Sequence, residues 1–293
     1  MEIRQLRYFE RVVHHRHFTR AADDLHVAQS ALSRQVRRLE SELGIELLRR
    51  TTRSVQPTEA GELVATRARR IIAETEALRG EIDELRGLVR GRIAVGALLF
   101  GGELDIPALL ARFSSTFPAV ELGLREGSAQ RMIEGLADGG LDLAFALESE
   151  PPDGLERLEL STEELVVVVG PRHALAGHGP LPLGALTGHP LIAFHRGSTT
   201  REVVDRALAG AGVEAKIAVE ANDLAFVRSL VARGIGVAVL PRSFAELPGP
   251  RVSIRPLAPA LALRVVLWWR RDQHLSPAAR AFVDFTWEHR PGA

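Results

Sequence analysis

The sequence predicts three parts in one chain: an all-α N-terminal head built as a winged helix-turn-helix, a long linker helix, and a C-terminal α/β module. Three observations carry that expectation. Between residues 19 and 43 two short helical patterns meet at the turn His26-Val27-Ala28, and the second is apolar on one side and cationic on the other. Between residues 58 and 90 there is no proline, and apolar side chains recur at alternating spacings of four and three. Past Gly91, strand-like and helix-like runs alternate, the signature of an α/β fold with a largely parallel sheet.

In the head, Ile3, Leu6, Phe9, Val12 and Val13 form the stripe of a first helix over 3–16. His14, His15 and His17 follow as an exposed helix end; no acidic residue stands beside them at ligand spacing, so no metal site is expected. Thr19 is the candidate cap of the next helix. On the helix after the turn, Ala31, Leu32, Val36, Leu39 and Leu43 share the buried face. Gln29, Ser30, Ser33, Arg34, Arg37 and Arg38 face outward. Long polar and cationic side chains at the open start of a short helix suit a DNA major groove, where Arg reads guanine and Gln reads adenine. After Gly44, two short β-prone stretches flank Arg49, Arg50 and Arg53, a hairpin fit to lie along a phosphate backbone.

Charge agrees with this placement. Residues 1–57 hold eleven Arg against seven acidic residues, so the neutral chain is positive at its N-terminal end and negative over the remainder. Composition is that of a soluble globular protein, 46% hydrophobic and 25% charged, and 293 residues are long for a single core. The absence of cysteine excludes disulfides, thiolate zinc sites and thiol nucleophiles. Charges in the first seven residues replace a signal peptide's apolar core, and no apolar run approaches the ~20 residues of a membrane span. A cytoplasmic protein without a membrane partner is expected.

Over 58–90 the stripe is Val64, Ala68, Ile71, Thr75, Leu78, Ile82, Leu85 and Val89. It is too narrow for a globular core and fits pairing with a second copy; thirty-three helical residues give a rod of about 50 Å. A homodimer formed through 58–90 presents two recognition helices to two half-sites. Beyond it, strands are expected at 92–97, 120–126, 141–147, 165–169, 190–194, 216–220, 237–240 and 263–269. Helices are expected at 104–116, 129–137, 200–208, 224–233 and 277–289, with a Pro-rich passage over 241–259.

A family resemblance rests on Ala21-Ala22, Leu25, the run from Gln29 to Gln35, Leu39-Glu40, Leu43-Gly44, Leu47, Arg50 and Thr58-Glu59-Ala60-Gly61. Together these resemble the N-terminus of LysR-type transcriptional regulators. The chain departs from the family at Leu48, usually Phe, and at Pro57, often Leu. The resemblance implies that Arg53, at the hairpin tip, enters a minor groove. It implies a periplasmic-binding-protein-like pair of lobes crossed twice by the chain, near Ser161–Thr162 and near Leu263. The domain limits are then 1–57 for the head, 58–90 for the linker, 91–161 with 264–293 for lobe I, and 162–263 for lobe II. It also implies a homotetramer, a small-molecule effector between the lobes, and an influence on RNA polymerase at the promoter.

Ligands in open α/β sheets settle beyond the carboxyl ends of strands, beside helix N-termini. That places the candidate effector pocket at Ala97, Leu98 and Gly102, at Ser128, at Phe194, Arg196 and Ser198, and at Asn222. In the resembled family Ser128 matches a position where members often have a hydroxyl that contacts an effector carboxylate. By its own chemistry Arg196 is suited to pair such a group, and Phe194 to stack a ring. Ala97 stands where carboxylate-binding members often carry a second hydroxyl, so half of that clamp is missing. No cofactor is expected. The chain has no G-x-S-x-G, no H-E-x-x-H and no Walker A loop, and its sole lysine, Lys216, lies in a β-prone run, so an enzyme is not expected. A cytoplasmic small-molecule carrier accounts for the α/β part alone, and a metabolic enzyme with an accessory N-terminal domain accounts for less.

Overall fold

Phe9, Val12, Leu32, Val36 and Leu39 are fully buried together, and they define the head. In a computed structural model, residues 1–50, 55–85, 88–98, 104–148, 150, 152–272 and 274–292 are described. The head comprises α1 (Ile3–His15), α2 (Phe18–Asp24), α3 (Gln29–Leu43) and a hairpin of β1 (Leu48–Arg50) with β2 (Val55–Pro57). α2 begins one residue after His17, whose imidazole Nδ1 accepts the Thr19 amide at 3.2 Å, so the cap is His17 and not Thr19. The α2–α3 turn passes through His26 at φ 52. Leu43 is exposed at the end of α3, contrary to expectation, because the helix overruns the core by its last turn.

Two residues of the N-terminal motif explain themselves here. Glu40 on α3 accepts the backbone amides of Leu47 and Leu48 at 3.1 and 3.2 Å, which fixes the hairpin to the recognition helix. Thr58 caps α4 (Glu59–Glu84) by accepting the Gly61 amide at 3.0 Å and donates its hydroxyl to the Glu46 carbonyl at 2.8 Å. A side-chain carbon on Gly61 would collide with the Leu47 carbonyl, so glycine is what lets the long helix close on the hairpin.

α4 is shorter than the thirty-three residues expected: 26 residues, or about 39 Å. Its stripe also divides. Val64 and Ala68 pack into the head's own core and are not part of a seam. Val89, beyond the helix, packs on the α/β core. Only Ile71, Leu78, Ile82 and Leu85 of the stripe are left uncovered, with Leu78 59% and Leu85 85% exposed, and Thr75 among them is half-buried.

The α/β part runs β3 (Gly91–Ala97), α5 (Ile106–Thr116), β4 (Val120–Glu126), α6 (Ala129–Asp138), β5 (Leu143–Glu148), β6 (Leu155–Val169), β7 (Leu181–Pro182), β8 (Pro190–Ala193), α7 (Thr199–Gly210), β9 (Lys216–Glu220), α8 (Leu224–Ala232), β10 (Val237–Pro241), α9 (Arg242–Ala245), β11 (Ser253–Arg270) and α10 (Pro277–Glu288). The sheet is mixed and not largely parallel. Two parallel trios, β4-β3-β5 and β10-β8-β9, flank a central antiparallel pair, β11 and β6, with β7 beside β11. Each trio with its helices makes one lobe, and the two long strands traverse both; Thr162 faces Arg264 and Glu163 faces Leu263 along their ladder. α10 returns to the first lobe, where Phe282 meets Phe113 of α5 with ring centroids 4.8 Å apart.

One apolar cluster underlies both trios, while the opposite face carries two separate clusters, one per lobe. Ion pairs tie the central strands to their neighbours. Buried Glu148 accepts from Arg157 at 2.5 Å and from the Trp268 indole at 2.7 Å, and Arg242 pairs with Glu164 at 2.7 Å. Among the described residues no helix is long and apolar enough to cross a membrane.

Candidate DNA-binding face and effector cleft

α3 displays Gln29, Ser30, Arg34, Arg37 and Arg38 in the open, with Ser33 half-buried at the edge of the core. Its N-cap is Ala28, whose side chain makes no capping bond, so the first amides of α3 remain free to take a phosphate oxygen. Among the described residues Arg34 and Arg37 make no ion pair. Arg38 does: its Nε donates to Glu42 at 3.1 Å, one turn along. Glu42 also holds the terminal amine of Met1 and the Gln5 amide, and these donors, the amine first, lower its pKa to about 2.

Arg50 is not a free cation. Its Nη2 donates to Glu40 at 2.6 Å and its guanidinium lies over the Phe18 ring, 5.2 Å from the centroid. It therefore ties β1 to α2 and α3, an anchoring role that the expected phosphate contact did not include. Arg53 lies outside the described residues.

In the first lobe, Ala97 is buried at the end of β3 and Leu98 packs toward α6; Gly102 lies outside the described residues. Ser128 is exposed at the N-cap of α6, and its hydroxyl accepts the Arg131 amide at 3.4 Å, a long bond that leaves the oxygen available to a stronger partner. In the second lobe, Phe194 is half-buried against the lobe's own core, while Arg196 is exposed. Ser198 is the N-cap of α7, yet its side chain makes no capping bond. The Asn222 side-chain oxygen accepts the His195 amide at 3.0 Å, so this residue holds the loop in place with one of its two polar ends.

The residue that organises this loop was missed. Arg201 is buried, and its guanidinium donates to the Phe194 carbonyl at 2.8 Å, to Glu220 at 2.9 Å and to Asp205 at 2.7 Å. Burial opposes the charge, but the two carboxylates more than offset it and the pKa is raised. Glu220 is held below the usual carboxylate range, chiefly by its bond to Arg201. Only the i,i+4 spacing of Arg201 and Asp205 hinted at this in the sequence.

A cationic recognition helix on a winged head, joined by a long helix to a two-lobed α/β module, defines a DNA-binding regulator that carries a small-molecule domain. The chain belongs to the LysR family. Residues 3–62 match the family described as "Bacterial regulatory helix-turn-helix protein, lysR family", and residues 86–291 match "LysR substrate binding domain". Among similar proteins, the HTH-type transcriptional regulator BudR of Raoultella terrigena is 34% identical over 97% of this chain and 99% of BudR. Full-length OxyR from Pseudomonas aeruginosa, carrying a cysteine-to-aspartate substitution, has a similar structure with a TM-score of 0.77 and 26% identity, covering 98% of this chain and 94% of that one. CbnR in complex with its target DNA is similar with a TM-score of 0.55 and 25% identity, covering 98% of both chains. This chain is a LysR-family DNA-binding transcriptional regulator with an effector-binding C-terminal domain.

Proposed function

We propose that the chain binds an interrupted palindrome in duplex DNA as a homo-oligomer, reading bases with Gln29, Ser30, Ser33 and Arg34. Arg37, Arg38 and Arg53 contact the backbone and minor groove. The observation that carries this reading is the open face of α3, where Arg34 and Arg37 have no ion pair among the described residues, beside a helix start without a side-chain cap. The uncovered apolar stripe over Ile71, Leu78, Ile82 and Leu85 supports pairing of two linker helices. Two such dimers form the tetramer, and the limits 1–57, 58–90, 91–161 with 264–293, and 162–263 divide its labour.

The effector sits between the lobes against Ser128, Ser198, Arg196 and Phe194, beside Ala97, Leu98 and Gly102, with Asn222 setting the loop. Hydroxyls without strong internal partners at two helix starts support a ligand with hydrogen-bonding oxygens. With no cysteine, the chain has no thiol to oxidise, so its signal is binding and not thiol chemistry. Effector binding shifts the packing of the lobes and the spacing of the DNA heads, and thereby the access of RNA polymerase to the promoter. The protein works in the cytoplasm and performs no catalysis of its own.

A mobility-shift assay with duplex from the protein's own upstream region tests the reading. A specific shift that weakens steeply with salt is expected; the absence of a specific shift at moderate salt would overturn it.

A further inference from the structure

The helix that starts at the cleft ends at the DNA-binding side. α6 is capped by Ser128 and runs ten residues, about 15 Å, to Asp138. At that far end the Asp138 carboxylate accepts the Gly140 amide on Oδ1 at 2.8 Å, and its Oδ2 pairs with Nη1 of Arg69 on the linker helix. Arg69 reaches the head as well, donating Nε to Glu10 of α1 at 3.4 Å. The neighbouring Arg70 donates to the Ala137 carbonyl at 2.5 Å. One guanidinium therefore joins the effector lobe, the linker and the head.

Two features make this more than a surface ion pair. The Glu10 and Arg69 side chains are only 14% and 20% exposed, so that pair is partly desolvated, while Asp138 at 38% stands nearer the solvent. Around them lies a polar cleft of about 830 Å³ lined by the head, the linker and lobe I. The linker touches lobe I again at Gly80, where an added carbon would come within 3.1 Å of the Pro277 ring. Head and lobe I are thus joined through a charged side chain of the linker, Arg69.

We propose that Glu10, Arg69 and Asp138 form a coupling link by which α6 transmits the state of the effector cleft to the DNA-binding head within one chain. This rests on the reading that Ser128 borders the effector cleft and that the head binds DNA. Met132 and Leu136 bury one side of α6 against the sheet, so the helix moves as a unit. A displacement at Ser128 then displaces Asp138, and Arg69 must follow it or lose a carboxylate partner. Coupling of this kind is reciprocal: DNA bound by the head must alter α6.

Hydrogen–deuterium exchange on the full chain tests the link, with the upstream duplex as the probe. In the unaltered protein, DNA binding is expected to change exchange over residues 129–138 by about fivefold or more, the usual scale of allosteric coupling. Asp138→Asn keeps an acceptor for the Gly140 amide but removes the charge facing Arg69. It is expected to bind DNA with an unchanged melting temperature and to lose the exchange response. Arg69→Gln, which cuts both arms, is the second variant should the first misfold, and the same loss is expected. Unchanged exchange over α6 in the unaltered protein, or an intact response in the variants, would overturn the link while leaving DNA recognition standing. Failure of the unaltered protein to bind the duplex would overturn both.

Discussion

The head and the lobes hold their working residues in opposite ways. On α3 the candidate contacts stand on a 15-residue helix whose other face is fixed in the core, and Arg34 and Arg37 have no partner among the described residues. In the second lobe the candidates sit on the loop between β8 and α7, tied down by Arg201 and Asn222. The DNA face is therefore preformed and pays little to bind, whereas the cleft's loop is set by internal bonds that an effector can tighten or displace.

The sharpest way to break this contrast is to unseat the head. Gly61→Ala places a carbon against the Leu47 carbonyl, which is backbone and cannot rotate away. A loss of about 3 kcal/mol is expected, at the upper end for overpacking, seen as a lower melting temperature with weakened DNA binding. An unchanged melting temperature would show that the joint between hairpin and α4 tolerates a gap. Next in size is Leu78→Glu, which sets like charges in the uncovered stripe. Light scattering should report a smaller assembly, and binding to a two-half-site duplex should fall by about a hundredfold as the second head is no longer tethered. An unchanged mass would mean the stripe is covered by something else.

Within the head, Arg34→Ala should cost about 1–3 kcal/mol of discrimination at one base position. Arg53→Ala should instead weaken all sequences alike and lower the salt slope by about one. Competition assays on single-base operator variants separate the two; equal, sequence-blind losses would refute the assigned roles.

How far the sequence spoke follows the same division. The face of α3 was legible because its burial is local: Leu32, Val36 and Leu39 recur at the helical period and the remaining residues have nowhere to go but out. The stripe on α4 was half legible. Its spacing identifies an apolar line but not the surface that covers it, and Val64 and Ala68 proved to pack within their own head. The long central strands were largely hidden. Pro256 and Pro259 read as a loop, yet β11 passes through them with a register shift between Pro256 and Leu261. Charged residues such as Arg157, Glu159 and Glu163 obscured β6 ahead of Leu165. Arg201 was invisible because its partners Glu220 and the Phe194 carbonyl are brought to it only by the fold.

In the lobes smaller effects are expected. Ser128→Ala removes a long capping bond, so stability should fall by only about 0.5 kcal/mol, the low end for an N-cap. A promoter reporter should nevertheless lose its response to the inducing growth condition, while DNA affinity without effector stays unchanged. A normal response would remove Ser128 from the cleft.

The smallest expected effect is the pH dependence that His173 contributes in the second lobe. His173 accepts the Leu175 amide on Nδ1 at 3.1 Å, and its ring lies 4.9 Å from that of His189. Burial first, and the neighbouring imidazole second, push its pKa below the ordinary 6.5. Between the folded and unfolded values the unfolded chain binds a proton that the folded chain refuses, so stability should fall as pH drops through 6.5 and level off once the folded value is passed. Asn at this position supplies an oxygen near Nδ1 without titrating. Melting temperatures of His173→Asn should therefore decline less between pH 7.5 and 5.5 than those of the unaltered protein. Parallel profiles would show that His173 charges freely, and that this lobe, like the open face of α3, holds its cations without cost.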